Sequence, residues 1–327
     1  MSNKDKEGEY MAKLIMLIGL PGSGKSTYAT RYKSKYPNTA IVSSDNIREE
    51  LFGNANDQTH NGEVFTTMFN RTREFLKADI DVIYDATDIN RKRRIGLLKE
   101  LPKDTIKVAV FFAVAFSLCK EQNEQRTRVV PNEVMERMYK SIHIPSLGEG
   151  FDNILIEGSP IYKEEVNRRQ IAEIEAIIKT CSHDNPHHRF TIGEHCLSAW
   201  QYAFEIIKRE NLNFEQSYIL TEACRYHDIG KWYCKQFYNA KGEHTNEAHY
   251  YNHENVSAYI YLSTMYATPS LMPKERYENT ILYIANLINN HMVFWTGDGS
   301  IDKRKQLYSN EFWQILEWVH EADMQAH

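Results

Sequence analysis

The amino-acid sequence predicts an α/β domain with a parallel sheet and helices on both faces, followed by an all-α domain, and three observations carry that expectation. Five short apolar runs, near residues 13–18, 39–43, 80–85, 106–114 and 153–157, alternate with helical stretches, the pattern of βα units around a parallel sheet. Histidine is rare early, at His60 and His143, whereas the other eleven of the thirteen lie from His183 onward. Net charge divides in the same region, +1 over residues 1–180 and −6 over the remainder. At 327 residues the chain is long enough for two domains, each with its own core. The expected boundaries are an N-terminal tail over 1–11, the α/β domain over 12–160, a helical linker over 161–182 and the all-α domain over 183–327.

The first apolar run, Leu14-Ile15-Met16-Leu17-Ile18, feeds directly into Gly19-Leu20-Pro21-Gly22-Ser23-Gly24-Lys25-Ser26, followed by Thr27. A buried strand, a glycine-rich turn and a helix aim several backbone N–H groups and the positive helix end at one point, the geometry that holds phosphates. Gly22 and Gly24 let the backbone approach closely, Lys25 can reach the β- and γ-phosphates, and the Ser26 hydroxyl can sit on Mg²⁺. The pattern implies a bound nucleoside triphosphate.

In a parallel sheet, ligands bind beyond the carboxyl ends of the strands. After the second run comes Ser44-Asp45-Asn46-Ile47-Arg48, where Asp45 could take a proton from an attacking hydroxyl and Arg48 could hold an acceptor phosphate; an N-cap with a solvated arginine is the bland alternative. After the third, Asp85 stands where a carboxylate behind Mg²⁺ would sit, and Asp88 and Asn90 precede the basic run Arg91-Lys92-Arg93-Arg94. That run could grip a polyanion or simply form a solvated helix face. Beyond the fourth, Asn123-Glu124-Gln125-Arg126-Thr127-Arg128-Val129-Val130-Pro131 offers Arg126 to a segment that closes over the nucleotide.

In the second half, His227-Asp228 lies in Cys224-Arg225-Tyr226-His227-Asp228-Ile229-Gly230-Lys231, near the end of an apolar helix. His195 opens another apolar helix, His253 precedes Val256 and Ala258, His291 ends the helix containing Ile281–Ile288, and Asp323 follows Ile315-Leu316 and Trp318-Val319. Helices packed on one core can bring imidazoles and carboxylates into one centre, a donor set suited to Mn²⁺, Fe²⁺, Ni²⁺ or Mg²⁺. The pair His183-Asp184 has no such helical context.

The remaining composition is that of a globular protein, 42% hydrophobic and 25% charged, with no apolar run long enough to span a membrane and no membrane partner expected. The polar N-terminus resembles neither a secretory signal nor a transit peptide. Cys119, Cys181, Cys196, Cys224 and Cys234 form no C-x-x-C pair, as expected for reduced thiols in a cytoplasmic protein.

Residues 12–160 resemble the 5′-OH polynucleotide kinase domain of the T-even phage end-repair enzyme through the phosphate loop, Asp45-x-x-Arg48, Asp85-x-Thr87-x-x-Asn90, Asn123-x-x-Arg126 with Val130-Pro131, and Met138-Tyr139-Lys140-Ser141. The resemblance implies that Gly19, Gly22, Ser23, Gly24, Lys25, Ser26, Thr27 and Arg126 hold ATP, with Ser26 and Asp85 toward Mg²⁺. It further implies Asp45 as general base, Arg48 as the acceptor-phosphate ligand and Arg126 as the lid arginine. Asp88 departs from it, standing where the phage motif has asparagine. Residues 183–327 resemble the HD phosphohydrolase superfamily, in the local spelling Asp184-Asn185-Pro186-His187-His188, Glu194-His195, His227-Asp228-Ile229-Gly230-Lys231 and His253-Glu254 of the HD domain attached to bacterial CCA-adding enzymes. That likeness implies His195, His227, Asp228 and Asp323 as ligands of a first divalent metal, His253 and His291 completing a second, and Lys231 against a substrate phosphate.

Together these readings anticipate a bifunctional end-healing enzyme, an ATP- and Mg²⁺-dependent kinase of 5′-OH nucleic acid, RNA in preference to DNA, joined to a metal-dependent 2′,3′-phosphoesterase or phosphatase. No lysine-x-aspartate-glycine motif is present, so sealing falls to a separate ligase. A small-molecule or nucleoside kinase fused to an HD nucleotidase is the rival enzyme, favoured by the absence of excess positive charge. A non-enzymatic ATP-gated sensor is the third class, which would have no use for Asp45.

Overall fold

The structure, a computed structural model, describes residues 11–158, 164–186 and 189–326. The expected tail, apart from Met11, and His187 and His188 therefore lie outside the described residues. The chain folds as two compact units, one of residues up to 138 with 145–159, the other of residues 139–144 with 160–327.

The first unit holds five parallel strands, β1 (Lys13–Ile18), β2 (Thr39–Ser43), β3 (Asp81–Asp85), β4 (Ile106–Phe112) and β5 (Asn153–Glu157), in the order β2-β3-β1-β4-β5. β1 is central, with Leu14–Leu17 paired to Val82–Asp85 and Lys13–Ile18 to Ile106–Phe111. Its residues Leu14, Met16, Leu17 and Ile18 are wholly buried, which is why the run is apolar throughout rather than alternating. Helices α1 (Lys25–Lys35), α2 (Ser44–Phe52), α3 (Asn61–Lys77), α4 (Arg91–Lys99), α5 (Phe116–Glu124) and α6 (Asn132–Ser141) connect them. All the strands point the same way, so β1, β2 and β3 deliver Gly19, Ser44 and Ala86 to one edge of the sheet.

The second unit contains α7 (Glu164–Thr180), α8 (Ile192–Glu210), α9 (Phe214–Tyr226), α10 (Lys231–Cys234), α11 (His253–Tyr266), α12 (Lys274–Asn290), α13 (Asp298–Lys305) and α14 (Asn310–Gln325). α8 packs on α9 and α14, and α11 on α12. Thr191 and Asn213 cap α8 and α9 through reciprocal boxes with Glu194 and Gln216, fixing where each begins. The unit is not purely helical, because β6 (Gln236–Tyr238) and β7 (His244–His249) form an antiparallel hairpin. Asn239 closes its turn, accepting from the backbone N–H of Lys241 at 2.9 Å and of Glu243 at 3.0 Å. Among the described residues no helix is long and apolar enough to cross a membrane.

Candidate functional site

In the first unit, the loop after β1 wraps around the Lys25 ammonium. Its Nζ donates to the carbonyls of Gly19 at 3.0 Å and Leu20 at 2.7 Å, while the Gly19 N–H donates to the Thr87 carbonyl at 3.1 Å and ties the loop to β3. Gly22 has φ +78°, and a Cβ there would collide with the Cys119 carbonyl, so only glycine allows α5 to pass this close. The Ser26 hydroxyl donates to Asp85 Oδ2 at 3.1 Å, placing a hydroxyl and a carboxylate side by side. Burial pushes the Lys25 ammonium down to about 8, only partly offset by Asp85. A polyphosphate in the loop would restore its charge.

These groups line a cleft of ≈ 970 Å³ together with Asp45, Arg48, Asp88, Arg126 and Arg128. Arg48 is 4% exposed, with Nη2 donating to Asn61 Oδ1 at 2.6 Å, Nη1 at 3.6 Å from Asp45 Oδ1, and a water-shielded Nε that has no hydrogen-bond partner. A buried guanidinium with an unspent donor is an anion-seeking group. Asp45 is ion-paired to Arg128, a cleft residue that sequence reasoning quoted within its segment without assigning it a role. Its spacing of two from Arg126, in the bent segment after α5, is the available signal. Asn123 clamps this stretch at its far end, donating to the Val130 carbonyl at 2.8 Å and accepting from the Val130 N–H at 3.0 Å.

The basic run is divided by function. Arg94 is buried, its Nε and Nη2 donating to Glu149 at 2.7 and 2.8 Å, and Arg91 lies 3.4 Å from the same carboxylate. Separating such a buried pair costs about 3–5 kcal/mol, so these two arginines hold structure and are not available to a polyanion. Lys92 and Arg93 remain exposed.

Asp88 has φ +42° and an Oδ2 that is shielded from water and has no hydrogen-bond partner. Burial pushes its carboxyl up to about 7, against the opposing pull of Arg94 and Lys25. A proton therefore stays on folded Asp88 over a range where the unfolded carboxyl, at 3.8, has lost it. Stability from this group falls as pH rises from about 4 to about 7 and is level above that. Asp88→Asn removes the penalty, so the melting temperature of the variant minus that of the wild type should grow between pH 5 and pH 8. Parallel melting curves across that range would refute the assignment.

In the second unit, six side chains converge. His195 Nε2 lies 3.2 Å from Asp228 Oδ2, 3.0 Å from Asp323 Oδ1 and 3.2 Å from His227 Nε2, and His227 Nε2 lies 3.3 Å from Asp323 Oδ1. On the other oxygen of the same aspartate, His253 Nε2 is 3.0 Å and His291 Nε2 3.4 Å from Asp228 Oδ1, with the two imidazole nitrogens 3.2 Å apart. All six are buried, Asp323 on the last helix at 8% exposure. Gly230 is needed for this convergence, because a Cβ there would lie 2.6 Å from the Ser257 nitrogen and 2.7 Å from the His253 carbonyl oxygen and push α11 away.

Each imidazole is oriented from behind. Nδ1 of His195, His227, His253 and His291 lies 3.2, 2.7, 2.8 and 2.8 Å from the carbonyls of Ala326, Cys224, Tyr250 and Ile288. A carbonyl only accepts, so each Nδ1 carries the proton and each Nε2 presents a lone pair inward. Pairs of lone pairs 3.2 Å apart repel unless a cation lies between them. Asp228 Oδ1, buried and without a hydrogen-bond donor, has the same need. The donor set therefore fits two divalent cations sharing one carboxylate, with His195, His227, Asp228 and Asp323 around one and Asp228, His253 and His291 around the other. Burial opposes charge on Asp228, yet the Lys231 ammonium beside it favours the carboxylate and pulls the carboxyl below its usual range. Lys231 Nζ lies 2.5 Å from Asp228 Oδ2.

Compared with known proteins, residues 14–145 match the family model described as AAA domain. The L-seryl-tRNA(Sec) kinase of Methanococcus maripaludis is 30% identical over 148 residues, which are 42% of this chain and 56% of that protein. The chain thus spans little more than half the length of this curated relative. Among solved structures, similarity extends to the Pnkp1/Rnl/Hen1 RNA repair complex (23% identity, 41% of this chain and 44% of that one, TM-score 0.36) and a fungal RNA kinase (13% identity, 53% and 87%, TM-score 0.35). A gluconokinase from Sinorhizobium meliloti is similar at 18% identity over 50% of this chain and 92% of that one, with TM-score 0.34. The first unit thus pairs a phosphate loop with similarity to this family model, a combination suited to binding a nucleoside triphosphate with Mg²⁺.

Proposed function

We propose that the chain is a bifunctional nucleic-acid end-healing enzyme, an ATP-dependent 5′-OH polynucleotide kinase joined to an HD-type, metal-dependent 2′,3′-phosphoesterase. The observation that carries the reading is the presence, in one chain, of a phosphate loop facing Asp45 and Arg48 and a separate six-residue histidine–aspartate centre. A transferase and a hydrolase of phosphoryl groups in one chain suit broken RNA whose ends carry a 5′-OH and a 2′,3′-cyclic phosphate. The related L-seryl-tRNA(Sec) kinase is, by its name, a kinase of a seryl group carried on tRNA, which favours a hydroxyl acceptor attached to RNA.

In the kinase step, Lys25 and the loop N–H groups hold the β- and γ-phosphates, and Arg48 anchors the acceptor phosphate through its unspent Nε. The 5′-hydroxyl oxygen bonds to the γ-phosphorus as the bridging β–γ bond breaks and ADP leaves. The hydroxyl proton passes to Asp45, and Arg126 offsets charge on the transferred group. In the second unit, divalent cations, Mn²⁺, Ni²⁺, Fe²⁺ or Mg²⁺, would supply Lewis acidity toward a phosphoester. His195, His227, His253, His291, Asp228 and Asp323 would hold them, and Lys231 would meet the substrate phosphate. A separate ligase would act downstream.

The test is incubation with ATP, Mg²⁺, Mn²⁺ and a short RNA bearing a 5′-OH and a 2′,3′-cyclic phosphate. Conversion of both ends is the expected result. Consumption of free nucleosides, nucleotides or sugars with both RNA ends intact would replace this reading with a small-molecule kinase fused to an HD nucleotidase.

A further inference from the structure

Helix α3 carries a stripe that the kinase chemistry does not use. Positions 61, 65, 69 and 73 are spaced by four and so share one face over about 18 Å. They are Asn61, Phe65, Phe69 and Arg73. The first three line the cleft, and Asn61 holds Arg48. The Phe65 ring has the guanidinium of Arg48 and that of Arg93 each 5.9 Å from its centroid, so the two cations stand at most twice that distance apart. The Phe69 ring has Arg73 at 5.4 Å. Along the stripe, aromatic faces and guanidiniums therefore interleave outward from the acceptor-phosphate group.

The charge on this stripe is unspent. Neither Arg73 nor Arg93 is ion-paired to a carboxylate among the described residues, and Arg73 Nε is shielded from water with no hydrogen-bond partner. Arg71, two residues away and off the stripe, contrasts with them, since Glu50 engages it at 2.7 and 2.5 Å. Cations in a groove, interleaved with aromatic faces, are what single-stranded nucleic acid requires: phosphates meet guanidiniums while bases stack on rings. A double strand hides its base faces and gains nothing from Phe65 or Phe69.

We propose that the α3 stripe is a track for the acceptor strand, gripping the nucleotides that follow the phosphorylated one as unpaired, stacked single strand. The inference rests on the reading of the first unit as a 5′-OH polynucleotide kinase. The stripe's length gives room for about three to five nucleotides at the spacing of a stacked strand. The track makes substrate choice a matter of length: a nucleoside 3′-monophosphate engages Arg48 alone, whereas an oligonucleotide engages Phe65, Arg93, Phe69 and Arg73 as well.

The experiment compares KM for a nucleoside 3′-monophosphate with KM for a 5′-OH single-stranded octaribonucleotide, using the full chain with ATP and Mg²⁺. In the wild type the octamer KM should be lower by on the order of tenfold or more, since a stacked base contributes about 1–3 kcal/mol. Phe69→Ala should collapse the ratio of the two KM values toward unity. Arg73→Gln, which leaves the stacking ring in place, should reduce the salt slope of octamer binding by about one. Equal KM values in the wild type, or a ratio and salt slope untouched by both variants, would overturn the track while leaving the kinase reading intact. Should no nucleotide acceptor of any length be phosphorylated, it is the kinase reading that fails. The track then stands or falls on the anisotropy of a 3′-labelled octamer, with affinity weakened about tenfold by Phe69→Ala supporting it and unchanged affinity overturning it.

Discussion

Lys25→Ala should lower kcat for ATP-dependent phosphoryl transfer on the order of 10²–10³-fold, the usual consequence of removing one preorganised charge from a transferring group. Hydrolysis by the second unit should persist, since none of its six convergent residues belongs to the phosphate loop. The expectation rests on where Lys25 is held. Its Nζ is bound by two carbonyls of its own loop, so the ammonium is already positioned for phosphate before ATP arrives. Burial also weakens its charge when alone, which means the interaction with polyphosphate is not diluted by solvent. A radiometric assay on 5′-OH RNA measures the loss. Retention of wild-type turnover in the variant would mean that the loop does not carry the transfer.

Asp228→Ala should remove both hydrolysis and divalent-metal stabilisation. Asp228 presents one oxygen to each group of imidazoles, so its loss leaves each set incomplete. It also strands Lys231, whose ammonium lies in a buried position beside it. Loss of one member of a buried charge pair costs about 3–5 kcal/mol, so the variant should also melt lower than the wild type without metal. Asp228→Asn, which keeps the volume, separates the metal effect from a packing effect. For the wild type, Mn²⁺ at a hundred times its dissociation constant should stabilise by about 2.7 kcal/mol. Calorimetric scans with Mn²⁺ and with a chelator read this directly. If Mn²⁺ raises the melting temperature of Asp228→Asn as much as that of the wild type, the two-cation assignment is wrong.

Much of this arrangement is legible in the chain because the signals are local. The phosphate loop is contiguous, and the strands of the first unit announce themselves as apolar runs because the sheet is covered on both faces. His195, His227, His253 and His291 can be singled out because each sits at or beside an apolar helix. Contacts between distant segments are what local patterns omit. Nothing near Arg91-Lys92-Arg93-Arg94 reveals that Glu149, far along the chain, neutralises two of the four. Nothing near Asp45 announces Arg128, because a loop segment with alternating arginines reads the same whether it faces solvent or a carboxylate. The β6–β7 hairpin is missed for another reason. Its strands are short and its second, His244–His249, is mostly polar, so neither period nor hydrophobicity marks it.

On the proposed reading of Asp45 as general base, the Arg128–Asp45 ion pair bears on what the enzyme does when nothing is there to be phosphorylated. A P-loop enzyme with a ready carboxylate beside its γ-phosphate risks wasting ATP on water. Here an oxygen of that carboxylate is already taken by a guanidinium, so a stray water meets an occupied proton acceptor. An acceptor strand brings a phosphate of its own, and an anion is the one kind of visitor that can draw Arg128 aside. The substrate would thereby unlock the base that activates it, and idle turnover would be held down by the same pair of residues that later serves transfer.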